Sequence, residues 1–240
     1  MAVLKSCYHL MENAFLKLPF LFSEDRLLRD LNYCQSYQFT SHFNTNDYSG
    51  DWKSIALRSL NGEVNQIYAH SSGSENYKNT PLLDNCPYFR EVIAFFECEK
   101  ESIRLLNLSP NGKIKEHRDH NLGYEDNSFR IHIPITTNNN VLFYINNQKV
   151  TMSVGESWYG NFNLPHWVEN NGTTDRIHLI IDCIRNEWSD ELFLQSGYNF
   201  ELENKPPQYS KETKLRMIEE LKKMNSETSI ALINQLESEL

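Results

Sequence analysis

Two segments decide how this chain is read: Phe129-Arg130-Ile131-His132-Ile133-Pro134-Ile135 and Arg176-Ile177-His178-Leu179-Ile180-Ile181-Asp182. Side chains alternate across a strand. In the first segment Arg130 and His132 therefore share one face, opposite Phe129, Ile131 and Ile133. In the second, Arg176, His178 and Asp182 lie opposite Ile177, Leu179 and Ile181. On an ordinary sandwich a single polar face of this kind would meet water. Two such faces, each joining a cation to an imidazole, beside His117-Arg118-Asp119, point instead to polar faces lining a barrel interior.

Working outward, His117 and Asp119 are two residues apart, so a strand through both sets an imidazole beside a carboxylate and sends Arg118 the other way. His166 follows Leu164-Pro165 at the mouth of a further strand, and Arg176 stands ten residues beyond it. Five of the eight histidines lie in this stretch: His117, His120, His132, His166 and His178. Two imidazoles and one carboxylate suit a mononuclear iron with positions left open, and a nearby arginine can anchor an anionic co-substrate. The set His117, Asp119 and His166 is the expected metal site. Arg58 and Trp52 are candidates for contacting a substrate carboxylate, with His178 as a cavity-lining or supporting group. Asp182 is most simply a partner for a neighbouring His or Arg.

Around these residues the chain reads as mainly β with flanking helices. Residues 18–22 are an extended entry, and Ser23 with Glu24 and Asp25 starts a helix by capping and by acids at the positive end of the dipole. Trp52 to Leu60 alternates as a strand, and Asn61-Gly62 turns it into a second strand, Val64 to Ala69. Residues 35–50 and 71–86 read as loop, and Pro87 to Lys100 as helix. Strands follow at 102–108, 114–119, 129–136, 141–145, 149–154, 156–160 and 176–183, with Asn-rich turns between them. Short, regularly spaced strands of this kind predict a sandwich or barrel. After Pro206-Pro207, Ser210 and Ser226 start two helices with apolar stripes at Leu215, Ile218 and Leu221 and at Ile230, Ile233 and Leu236. The expected division is a β domain over 1–200 and a helical extension over 201–240.

Composition limits the partners. The charge of −9, from 32 acidic and 23 basic residues, argues against a general nucleic-acid binder. Five scattered cysteines without a CxxC suggest reduced thiols rather than a disulfide framework or zinc knuckle. Residues 1–10 lack a signal-peptide core, and no apolar run approaches the roughly 20 residues of a membrane helix. A soluble, cytoplasmic protein is expected.

His117-Arg118-Asp119, the 129–135 segment, Gly155-Glu156-Ser157-Trp158, Leu164-Pro165-His166 and the 176–182 segment together resemble the aspartyl/asparaginyl β-hydroxylase family, which includes bacterial proline hydroxylases. The likeness is dense over residues 102–185, fainter over 18–96 and absent from the tail. It implies a double-stranded β-helix (jelly-roll, cupin-like) core using Fe(II), 2-oxoglutarate and O2. By this resemblance His117, Asp119 and His166 would hold the iron and Arg176 the far carboxylate of 2-oxoglutarate. Arg130 and His132 would contact the co-substrate's other end or the substrate carboxylate. The implied reaction hydroxylates an amino-acid side chain, with release of succinate and CO2. The substrate would be a free amino acid or an Asp or Asn residue in a peptide; Asp119, absent from some aspartyl hydroxylases, leans toward the former. Two other classes compete: a cupin-like metal enzyme that does not use 2-oxoglutarate, and a non-catalytic jelly-roll binding module.

Overall fold

In a computed structural model, residues 13–68, 76–203, 211–224 and 226–238 are described. Their elements, in chain order, are β1 (Phe15–Leu21), α1 (Glu24–Cys34), β2 (Thr40–Ser41), β3 (Tyr48–Ser49), β4 (Trp52–Leu60), β5 (Tyr77–Asn79), α2 (Pro81–Asp84), α3 (Pro87–Ala94), β6 (Lys100–Leu108) and β7 (Lys113–His117). They continue with β8 (Ser128–Thr136), β9 (Val141–Ile145), β10 (Gln148–Lys149), β11 (Glu156–Gly160), β12 (His166–Asn170), β13 (Arg176–Ile184), α4 (Glu187–Gln195), α5 (Lys211–Met224) and α6 (Glu227–Ser238). The chain divides into two compact units, Met1–Asn199 and Phe200–Leu240. In the second unit α5 and α6 pack on each other, Ser226 and Ser229 cap the start of α6, and Ile218 and Leu236 are buried while Leu215 and Ile230 are exposed.

The first unit is two antiparallel sheets. One has the order β1-β11-β8-β13-β6-β4-β2, with β5 on β4; the other runs β10-β9-β12-β7-β3. From β6 to β13 the chain passes back and forth between them, with only the β9–β10 hairpin staying in one sheet. That alternation is the path of a jelly roll. The central strands β8 and β13 are buried on both faces. Phe129, Ile131, Ile133, Ile177, Leu179 and Ile181 form the aliphatic side, with Phe129 reaching Phe193 of α4. Arg130, His132, Arg176, His178 and Asp182 are buried on the other. The register places Asp182 opposite Arg130 and Ile180 opposite His132. An apolar cluster including Trp52, Phe143, Ile145, Phe162 and Val168 joins the two sheets. The Asn146-Asn147 turn takes positive φ at both residues, as a tight hairpin requires.

Several expectations are corrected. Residues 64–68 are irregular rather than a strand; β4 turns at Asn61-Gly62 but pairs with β5 instead. The stretch expected as loop over 71–86 contains β5 and α2, and 35–50 contains β2 and β3. Helix α3 ends at Ala94, because Cys98 N–H turns back onto Phe96 O and the chain enters β6. Ser23 stands at the N-cap of α1, yet its side chain makes no capping bond; its backbone N–H donates to the Tyr88 hydroxyl. Strand β7 stops at His117, so Asp119 is set not by strand alternation but by its N–H donating to Phe162 O at 2.9 Å. The readings for residues 1–10, Ala69, Pro206-Pro207 and Ser210 lie outside the described residues.

Candidate metal centre and co-substrate pocket

His117 closes β7 and His166 opens β12, and the two are register partners across the smaller sheet. Their rings lie 4.2 Å apart, centroid to centroid. Each Nδ1 faces a carbonyl two residues back: Lys115 O at 2.8 Å for His117 and Leu164 O at 3.0 Å for His166. An Nδ1–H donated to a carbonyl leaves the Nε2 lone pair free for a metal. Asp119 joins them, and one ligand atom from each of the three residues falls within 4.8 Å of the others. Burial, with His117 beside it, pushes the His166 imidazole down to about 4, so it is a neutral donor at ordinary pH. Burial works to raise the Asp119 carboxyl, but Arg130 and the two imidazoles outweigh it and hold it below the usual carboxylate value.

These groups open onto a cavity of about 370 Å³ lined from both sheets. Arg130, His132, Arg176 and Trp52 all line it, beside the three candidate ligands. Arg176 is 3% exposed; its Nη2 lies 3.1 Å from His178 Nδ1 and its Nε has no partner among the described residues. Burial pushes this guanidinium down to about 9. His132 Nε2 is likewise buried without a partner, and burial with Arg176 and Arg130 nearby holds the ring well below its usual value. Arg130 and His132 of one polar face and Arg176 of the other thus meet in one chamber. Two expected residues do not reach it. Arg58 donates instead to Lys100 O and Asn79 Oδ1. His178 sits behind Arg176 and His132 and lines a second cavity of about 250 Å³.

Arg104 and His42 were missed by sequence reasoning. Arg104 lies on β6 across from Ile180, is buried, and binds Asp182 at 3.0 Å and Ile67 O at 3.1 Å, while its Nε has no partner among the described residues. His42 stacks on Trp52 at 3.6 Å, and its buried Nδ1 has no partner among the described residues. Burial and Arg104 push it down to about 4. Both line the cavity, with Phe43, Asp47 and Tyr68. A single arginine in an aliphatic strand carries no pattern of its own, and His42 lies in a segment read as loop; only the pairing of sheets reveals them.

A family model for aspartyl/asparaginyl β-hydroxylase matches residues 24–186, about two thirds of the chain and all of the site. The chain belongs to the aspartyl/asparaginyl β-hydroxylase family. L-Proline cis-4-hydroxylase of Rhizobium meliloti (strain 1021) is 29% identical over 166 residues, covering 67% of this chain. The match spans 57% of that protein's length. An oxidoreductase of the 2OG-Fe(II) oxygenase family from Burkholderia pseudomallei shares the fold: TM-score 0.50 at 13% identity, over 73% of this chain and 87% of that one. Among the described residues no helix is long and apolar enough to cross a membrane.

Proposed function

We propose that this protein is an Fe(II)- and 2-oxoglutarate-dependent dioxygenase that hydroxylates the side chain of a free amino acid. The observation that carries this reading is one chamber holding a His117/Asp119/His166 triad and a buried guanidinium, Arg176, with an unpaired Nε. Two imidazoles and a carboxylate suit Fe(II) and leave positions for a chelating co-substrate and oxygen. The orphaned donors suit a dianion: Arg176 would take the distal carboxylate of 2-oxoglutarate through its planar fork, and His132 Nε2 faces the same space. Bound together, iron, 2-oxoglutarate and O2 supply an oxidant strong enough to hydroxylate an unactivated C–H bond, with succinate and CO2 as co-products.

The protein's own residues do the positioning. His117 and His166 present Nε2 because their Nδ1 atoms are committed to backbone carbonyls. Asp119 offers an oxygen while Arg130 Nη1 holds the other at 2.8 Å. Phe162 stacks on His132 and Phe143 packs tilted against it, giving the chamber an apolar lining beside the polar groups.

The chamber favours a small substrate. Small-molecule sites run from roughly 300 to 1,000 Å³, and this one, at about 370 Å³, must hold the co-substrate too. Arg104 supplies a cation for a substrate carboxylate, and Asp47, which also lines the chamber, an anion for an ammonium group. The name of the Rhizobium relative, a hydroxylase of L-proline, agrees with a free amino acid rather than a peptide. The test is succinate release with Fe(II) and 2-oxoglutarate, scanned over free amino acids and over Asp- and Asn-containing peptides. Turnover with a free amino acid is expected; turnover only with peptides would overturn the substrate assignment.

A further inference from the structure

Asp119 can serve a metal through one oxygen only if the neighbouring guanidinium leaves that oxygen alone. Arg130 is a strong competitor: a guanidinium prefers to grip both oxygens of a carboxylate at once. In this chamber it does not. Its Nη1 donates to Asp119 Oδ2 at 2.8 Å, while Asp119 Oδ1 lies 3.8 Å from His117 Nε2 on the metal side. The reason lies on β13. Asp182 stands directly opposite Arg130 in the β8–β13 register and takes the other edge of the fork, Nε at 2.6 Å and Nη2 at 3.2 Å. A third contact, Arg104 Nη2 to Asp182 Oδ2 at 3.0 Å, fixes that carboxylate in turn. Asp182 is 3% exposed, so water does not offer Arg130 an alternative partner there.

We propose that Asp182 is a positioning residue that keeps Asp119 available as a one-oxygen metal ligand by occupying the Nε–Nη2 edge of Arg130. This rests on the metal assignment above and extends it to a residue that touches neither metal nor substrate. Without the Asp182 charge, the freed edge of Arg130 turns to the nearest carboxylate in the chamber, Asp119, and grips both of its oxygens. Metal affinity then falls because the ligand is taken, not because it is lost.

That cause makes the effect reversible by a second substitution. The experiment is calorimetric titration of the metal-free protein with Mn(II), with thermal melts in parallel, on wild type, Asp182→Asn, Asp182→Glu and the double variant Arg130→Met/Asp182→Leu. Removing a residue that supports a metal ligand typically weakens binding by about 10–100-fold, and that loss is expected for Asp182→Asn. The double variant, lacking the competitor, should regain affinity relative to Asp182→Asn. Asp182→Glu keeps the buried charge; should Asp182→Asn fail to fold, it carries the test, with a smaller loss relieved by adding Arg130→Met. Equal affinity in wild type and the folded Asp182 variant overturns the proposal. So does a loss that persists undiminished when Arg130 is removed, which would mark a merely structural role. If wild type itself does not bind Mn(II), the proposal falls together with the metal reading beneath it, and the wild-type titration tells that failure apart.

Discussion

Arg176→Met should make the ligand-free protein more stable and the co-substrate bind far more weakly. Arg176 is almost fully buried, and burial pushes its guanidinium from its ordinary value down to about 9. At about 1.4 kcal/mol for each tenfold change, that depression corresponds to about 5 kcal/mol. A guanidinium does not surrender its proton inside a protein, so the cost is carried as lost stability of the empty chamber. The contact with His178 relieves part of it, leaving about 2 kcal/mol to be recovered by an apolar side chain of similar length. For a chain of this size about 2–4 °C accompanies each kcal/mol, so the melting temperature should rise by about 4–8 °C. Binding moves the other way. Removing one partner of a buried pair costs about 3–5 kcal/mol, which raises the dissociation constant for 2-oxoglutarate by roughly 150- to 5,000-fold. The assay is thermal unfolding with Mn(II) present, with and without 2-oxoglutarate. A variant that melts lower than wild type and still responds to 2-oxoglutarate as wild type does would refute the reasoning.

Further outcomes follow from the same geometry. His166→Ala removes the better-buried imidazole and should weaken Mn(II) binding by more than the roughly 100-fold upper range for supporting residues; unchanged affinity in calorimetry would take His166 out of the ligand set. In the metal-free protein, His132, His166 and His178 are all held below 6.5 by burial, His166 at about 4. The unfolded chain therefore takes up protons first as pH falls, so the stability these neutral rings contribute is complete above 6.5 and drains away toward 4. His166 adds a slope of about 1.4 kcal/mol per pH unit in that window, His132 and His178 act in the same direction, and a melting temperature flat from pH 7 to 5 would contradict it. Gly155 has φ +77, and a Cβ there would meet Phe22 O at 2.3 Å. Gly155→Ala should cost about 1–3 kcal/mol through backbone strain, seen as a lower melting temperature; an unchanged melt would argue against that backbone path.

What the sequence disclosed, it disclosed through period-two alternation. Strands β8 and β13 carry cations and imidazoles on one face, and because both strands are central, that face had only the interior to meet. The HxD pair was legible for a partly different reason from the one that holds it: alternation suggested that His117 and Asp119 are neighbours, yet β7 ends at His117 and a backbone bond to Phe162 places Asp119. Residues 64–68, with Val64, Ile67 and Tyr68, have the composition of a strand, but the partner position on β4 is filled by β5. Strand β12 begins immediately after Leu164-Pro165, so the strand mouth expected at His166 is there, and the strand runs on to Asn170. Arg58 and Arg104 look alike in sequence, each an arginine in an alternating strand. The register sends Arg104 between the sheets to Asp182 and leaves Arg58 on Lys100 O and Asn79. Which arginine belongs to the site depends on long-range pairing, and no local pattern encodes it.

The most direct test of the central claim is anaerobic titration of the protein with Fe(II) and then 2-oxoglutarate, watched in the visible region for the weak charge-transfer absorption of the chelate. The account predicts a band that requires both components, saturates at one equivalent of iron, and disappears in Asp119→Ala. Iron binding without any band on adding 2-oxoglutarate would contradict it and favour a cupin-like metal enzyme that does not use the co-substrate. Failure to bind iron at all would leave a jelly-roll module without a metal centre.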